Sequence, residues 1–181
     1  MADLTAPLET DRLSAPAERA ARGSEPTWDV IELLFFAYRD FLGDPDDVLA
    51  KFGVGRAHHR VLHFVNRNPG MKVAELLDIL KITKQSLGRV LKQLVDQGYV
   101  LQKEGANDRR QRLLYVTGKG EALAMKLAGL QTARITRALS ELGPHAHETA
   151  CRLLTAMINA DHRDSVLRFI ARADRGRRPR S

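Results

Sequence analysis

The sequence predicts a mainly α-helical chain interrupted once, near its middle, by a small β-wing. Three observations carry this. Two short amphipathic helical patterns, within residues 73–97, meet at a tight Lys81-Ile82-Thr83 link. Two short strand patterns follow at once, at 99–103 and 112–116. Longer apolar patterns of helical period lie on both sides of this centre. Helix, tight link, helix and hairpin in that order are the layout of a winged helix-turn-helix.

The second short helix, 84–97, has clear ends. Thr83 suits an N-cap, because its hydroxyl can accept from an orphaned amide of the first turn. Gly98 suits the stop. Leu87, Val90, Leu91 and Leu94 form one apolar stripe. Lys84, Gln85, Arg89, Lys92 and Gln93 fall mostly on the other side, with Ser86 at its edge. Such a face suits a DNA major groove: Arg can bond guanine bidentately, Gln adenine, and Ser or Lys bases or phosphates. The alternative is a surface helix with a solvated polar face.

The next segment favours the DNA reading. Between the strands lies 104–111, where Gly105 and Asn107 suit a turn. Arg109 and Arg110 are adjacent at the tip and cannot be core. They are placed to enter a minor groove or clamp phosphates. Asp108 is acidic, so it is read as an orienter that pairs with Arg110 rather than as a direct contact. The DNA-binding candidates are therefore Thr83, Lys84, Gln85, Ser86, Arg89, Lys92, Asp108, Arg109 and Arg110.

These residues also carry a resemblance. Val73-Ala74-Glu75-Leu76-Leu77, Ile82-Thr83-Lys84-Gln85-Ser86, Leu94-Val95-Asp96-Gln97-Gly98-Tyr99-Val100 and Asp108-Arg109-Arg110 leading to Val116-Thr117-Gly118-Lys119-Gly120 resemble the MarR family of bacterial transcription regulators. The Asp-x-Arg wing followed by a strand and Thr-x-x-Gly is the most specific part. The layout extends over about residues 27–164. The run from Gly55 to His63, with Ile82 to Leu87, looks like the PetP-like branch of that family. The resemblance implies a dimer whose terminal helices form the interface.

Composition narrows the rest. The chain has 181 residues, is 44% hydrophobic and carries a net charge of +7, which favours an anionic partner. One cysteine allows no disulfide within a chain, and a reducing cytosol is the simplest setting. No apolar run approaches the roughly 20 residues that span a bilayer, and no signal core opens the chain.

Taken in order, residues 1–25 lack periodicity and read as a disordered N-terminal arm. Residues 26–55 read as N-terminal dimerisation helices. The first carries Val30, Ile31, Leu34, Phe35, Tyr38 and Phe41, widened by Trp28, Leu33 and Phe36, a breadth that suits a subunit interface. Asp44 and Pro45 suggest a second helix start. Residues 56–117 form the winged helix-turn-helix domain, opening with a helix over 56–67 and including a short strand near 71–73. Residues 118–171 read as two C-terminal dimerisation helices, 120–142 and about 145–171, separated by Gly143-Pro144. Residues 172–181 read as a disordered basic tail holding Arg172, Arg175, Arg177, Arg178 and Arg180.

Other chemistry is thin. His59 and His63 share a helix face, beside His58, but the spacing is not His-Glu-x-x-His and no carboxylate or Cys completes a ligand set. Solvated or hydrogen-bonded histidines are the expectation, with no metal and no cofactor. Cys151 reads as a packed thiol rather than a redox sensor. No nucleophile elbow or phosphate-binding loop is present, so no catalytic residue is assigned and an enzyme is not expected. The sequence thus predicts a cytoplasmic homodimer that binds double-stranded DNA at a pseudo-palindromic operator, with no membrane partner. A small-molecule, redox or metal effector is the optional addition, its candidate pocket drawn from Trp28, Phe35, Tyr38, Arg39, His59 and His63. The alternative from another class is a basic protein that holds nucleic acid or membrane by charge alone.

Overall fold

The computed structural model describes residues 26–105, 108 and 111–177. The chain divides into two compact units, Met1–Tyr38 and Arg39–Ser181. The described residues form seven helices and three strands.

Helix α1 runs Trp28–Lys51 without interruption, with Pro45 inside it. The expectation of a second helix start at Asp44-Pro45 is therefore corrected. Proline removes one backbone donor and disfavours a helix interior. Here its neighbour Asp44 is held instead by Arg134 through two bonds of 2.5 and 2.7 Å. In the first unit, α1 exposes most of its large apolar side chains, Trp28 at 62% and Phe35 at 70% among them.

In the second unit, α2 (Arg56–Arg67) buries Val61, Leu62 and Val65. Strand β1 (Met71–Lys72), α3 (Val73–Leu80), α4 (Lys84–Asp96), β2 (Val100–Glu104) and β3 (Arg112–Val116) follow the expected order. The sheet order is β1-β3-β2, with both pairings antiparallel. Met71 faces Leu114, so the short strand pairs with the wing. Leu76 of α3, Leu87, Leu91 and Leu94 of α4, and Leu114 of β3 join Leu62 and Val65 in one core. Full burial of a side chain of this size contributes about 1.5–3 kcal/mol.

Helix α5 (Gly118–Leu142) enters the same core with Leu123, Ala124 and Leu127. The single last helix expected over 145–171 is instead two, α6 (Ala146–Met157) and α7 (Ala160–Arg177). Ile158 is extended at the break, and Arg163 donates to the carbonyls of Ala156 and Ile158 at 3.0 Å each. A side chain thus satisfies groups that a broken helix leaves open. Helix α7 also runs on through Arg177, where a tail was expected from residue 172. Two ion pairs engage this end: Arg67 with Asp174 at 2.5 Å, and Arg172 with Glu75 at 3.5 Å. Arg178 and Arg180 lie outside the described residues, as does the arm over 1–25.

Candidate nucleic-acid interface

The link between α3 and α4 is set by two local devices. Lys81 ends α3 in the left-handed conformation, φ 49°, and turns the chain. Thr83 then caps α4: its hydroxyl oxygen accepts from the Ser86 amide at 3.1 Å. The same hydroxyl donates to Ser86 Oγ at 2.9 Å, so Ser86 is tied into the cap. At the other end Gly98 has φ 72°, and the Tyr99 amide reaches back to the Leu94 carbonyl at 2.8 Å. That bond closes the helix and aims the chain into β2.

With Leu87, Leu91 and Leu94 inward, the outer face of α4 presents Gln85, Arg89 and Lys92. Gln85 and Arg89 are exposed. Lys92 pairs with Asp96 one turn on, at 2.5 Å, and remains largely exposed. Lys84 is exposed at the first turn.

Gln93 is different from its neighbours on the polar side. Its amide nitrogen donates to the Gly53 carbonyl at 3.0 Å. Its amide oxygen lies 2.8 Å from His58 Nε2. His58 Nδ1 accepts from the Gly55 amide at 3.1 Å, which leaves Nε2 to carry the proton toward Gln93. Gln93 therefore fixes α4 to the α1–α2 turn and is not a free reading group. Local spacing carries no signal for this, because the partner residues lie some 35 to 40 positions away.

The hairpin base is well ordered by bonds. The Gly105 amide donates to the Gln111 carbonyl and the Gln111 amide to the Asp108 carbonyl, each at 3.0 Å. Gln111 Nε2 reaches the Asp108 carboxylate at 3.3 Å. Arg109 and Arg110 lie outside the described residues, and with them the pairing expected between Asp108 and Arg110.

A joint that the sequence reading did not single out locks α4 to α5. Thr117 caps α5 by accepting from the Gly120 amide at 3.0 Å, and its hydroxyl donates to the Gly98 carbonyl at 2.7 Å. Lys119 Nζ donates to the Gln97 carbonyl at 2.9 Å and sits 4.3 Å from the Tyr99 ring centroid. Gly120 packs so closely that a Cβ there would lie 2.0 Å from the Tyr99 carbonyl oxygen. The Thr-x-x-Gly spacing was the available signal.

The effector candidates fall in several places. Trp28, Phe35 and Tyr38 are exposed on α1 in the first unit. Arg39 pairs with Asp40 at 2.8 Å. His59 is buried, and this desolvation, helped by nearby His63, holds its pKa below the ordinary value against the opposing charge of Asp46. His63 meets Phe64 edge-on at 5.1 Å and lines a cleft of about 1240 Å³ among α2, α3, α5 and α7. Among the described residues no three His, Cys, Asp or Glu side chains gather as a metal site. Cys151 is exposed rather than packed, with the His147 ring nitrogens 3.9 and 4.0 Å away. Leu153 and Leu154 beside it are exposed as well, which is why the apolar neighbours misled.

Comparison with known proteins bears on this geometry. The MarR family model matches residues 52–111, which span α2 to the hairpin. The HTH-type transcriptional regulator PetP of Rhodobacter capsulatus is 42% identical over 159 residues, covering 88% of this chain and 92% of PetP. The chain belongs to the MarR family. It is a DNA-binding transcriptional regulator with the MarR winged-helix fold. The fold is shared with Streptococcus pneumoniae FabT in complex with DNA, at 16% identity and TM-score 0.65, covering 73% of this chain and 94% of that one. A MarR transcriptional regulator from Methanosarcina mazei has 22% identity and TM-score 0.63, covering 76% and 92%. Among the described residues no helix is long and apolar enough to cross a membrane.

Proposed function

We propose that this MarR-family chain acts in the cytoplasm as a homodimer on a pseudo-palindromic operator, each subunit laying α4 in a major groove. The observation that carries this is the outer face of α4. Gln85 and Arg89 stand exposed there, without an intramolecular partner among the described residues, on a helix held rigid by its core side, its cap and Gln93. A preorganised donor face loses little freedom on meeting base edges. Arg109 or Arg110 then serves the flanking minor groove. The dimer is supported by exposed apolar side chains on the terminal helices, Leu142, Leu153, Leu154 and Met157 at 53–73%, together with those of α1.

The test is selection from a pool of random duplex DNA at near-physiological salt. An enriched inverted repeat with half-sites roughly 34–36 Å apart is the expected result. No enrichment, with binding that vanishes as salt rises, would instead indicate a basic protein held by backbone charge.

An effector is a second part of the reading. The cleft beside His63 favours it, because the buried Asn66 lies in its wall, its amide nitrogen 3.9 Å from Met125 Sδ. Operator affinity that stays constant across aromatic acids, metals and haem would count against it.

A further inference from the structure

The turn between α1 and α2 is built to hold one shape. Gly53 has φ 66°, in the left-handed region that favours glycine. Its amide bonds the Ala50 carbonyl, and the Val54 amide bonds the Leu49 carbonyl, at 3.1 Å each. These two bonds close α1, and the flanking Leu49 and Val54 are both buried in the core. Gly55 then stands extended as the N-cap of α2. The Gly53 carbonyl and the Gly55 amide are thus fixed groups, two residues apart.

A ring of three hydrogen bonds joins these two groups by way of α4. The Gly55 amide donates to His58 Nδ1 at 3.1 Å, His58 Nε2 donates to Gln93 Oε1 at 2.8 Å, and Gln93 Nε2 donates to the Gly53 carbonyl at 3.0 Å. Every side-chain atom in the ring has one role, because acceptance at Nδ1 leaves the imidazole proton on Nε2. We propose that His58 is a positioning residue for base reading: acting through Gln93, it fixes the roll of α4 and so the register of Gln85 and Arg89 on the operator.

The placement of Gln93 carries this. Gln85, Arg89 and Gln93 follow one another at four-residue steps, so they lie in one row along α4. Leu87, Leu91 and Leu94 hold the helix to the core by apolar contact, which is non-directional. Hydrogen bonds are directional, and the ring at Gln93 ties the row sideways to a rigid turn. A roll of roughly 20° would carry a group about 5 Å from the helix axis through about 1.7 Å. Bonds to base edges survive only between about 2.7 and 3.2 Å, so such a roll would cost Gln85 and Arg89 their partners. His58 touches no base in this scheme.

This inference rests on the operator reading above, and two substitutions separate its parts. His58→Asn keeps an acceptor for the Gly55 amide but is too short to reach Gln93. His58→Gln keeps a donor amide near the position of Nε2 and gives up the bond to Gly55. The full chain is titrated, as wild type and both variants, against the selected operator, an unrelated duplex of equal length and single base-pair changes across each half-site. Thermal midpoints of the free proteins are measured alongside. His58→Asn is expected to lose at least about tenfold on the operator, with preferences flattened at several positions and the unrelated duplex held as before. His58→Gln is expected to keep the wild-type preferences and an operator affinity within about threefold, even where its thermal midpoint is the lower of the two. A merely structural role at the α2 cap predicts the reverse order. His58→Asn that keeps its discrimination, or His58→Gln that loses it as fully as His58→Asn, overturns the positioning role and leaves the operator reading standing. Wild-type protein that holds operator and unrelated duplex equally overturns the operator reading, and the role of His58 with it.

Discussion

Replacing Gly120 by alanine is expected to destabilise the protein by about 2–4 kcal/mol, although it adds only one methyl group, at a buried helix start. The new Cβ would stand 2.0 Å from the Tyr99 carbonyl oxygen and 2.9 Å from its carbonyl carbon. Ordinary contact begins near 3.4 Å, so the start of α5 and the start of β2 must part by roughly 1.4 Å. Both partners are backbone, so no rotamer change relieves the clash. The retreat also stretches the bonds that meet at this joint: Thr117 to the Gly98 carbonyl at 2.7 Å, Gly120 to Thr117 at 3.0 Å and Lys119 to the Gln97 carbonyl at 2.9 Å. Overpacking contributes about 1–3 kcal/mol and a lost cap about 1 kcal/mol. The assay is urea unfolding followed by far-UV circular dichroism, at one fixed protein concentration because the stability of the proposed dimer would depend on it. Gly129→Ala is the control, since a Cβ there meets nothing and the helix should gain about 0.5–1 kcal/mol. A Gly120→Ala midpoint equal to wild type, or raised as at Gly129, would refute the close approach.

Three further outcomes follow from the same structure. Lys81→Gly is expected to stabilise the fold by about 0.5–1 kcal/mol, since φ 49° disfavours a Cβ, and a lowered urea midpoint would show that the Lys81–Asp78 pair outweighs the backbone term. His59 has a folded pKa below its unfolded value, so its contribution is full above about pH 6.5 and is lost as pH falls through the folded value. Unfolding midpoints from pH 7.5 to 5.5 should therefore fall more steeply in wild type than in His59→Leu, and parallel profiles would show that His59 does not titrate differently on folding. Gln93→Ala removes both the His58 and the Gly53 contacts and is expected to cost about 1–2 kcal/mol of stability, whereas an effect confined to one base position in operator binding would return Gln93 to the reading face.

Legibility varied with the range over which each feature is determined. The cap at Thr83, the stop at Gly98 and the apolar stripe of α4 are local, and the residues that set them lie within a turn or two of their effect. The hairpin was legible for the same reason, whereas its pairing with β1 joins Met71 to the distant Leu114 and came from the order of elements rather than from local signals. Pro45 misled because its signal as a helix start competes with continuation of α1 around a buried proline, with Asp44 held by Arg134 from 90 residues away. The break at Ile158 was missed because Arg163 satisfies the open carbonyls, and an arginine three-quarters of a turn into the next helix is not a common stop signal. Gln93 owes its role to distant backbone at Gly53, which spacing alone does not reach, whereas Gly120 was marked by the Thr-x-x-Gly spacing but not its contact with Tyr99. The extension of α7 past residue 171 follows similarly from ion pairs to α2 and α3.

The central claim is that the outer face of α4 reads bases, and Arg89 tests it most directly. Wild type and Arg89→Ala are titrated against the selected operator and a panel in which each half-site base pair is changed in turn. The account predicts that Arg89→Ala loses about 1–3 kcal/mol on the operator and becomes indifferent to the base pair at one position per half-site, with preferences elsewhere intact. Uniform weakening across the whole panel, with every preference preserved, would contradict it and assign the base reading to another surface.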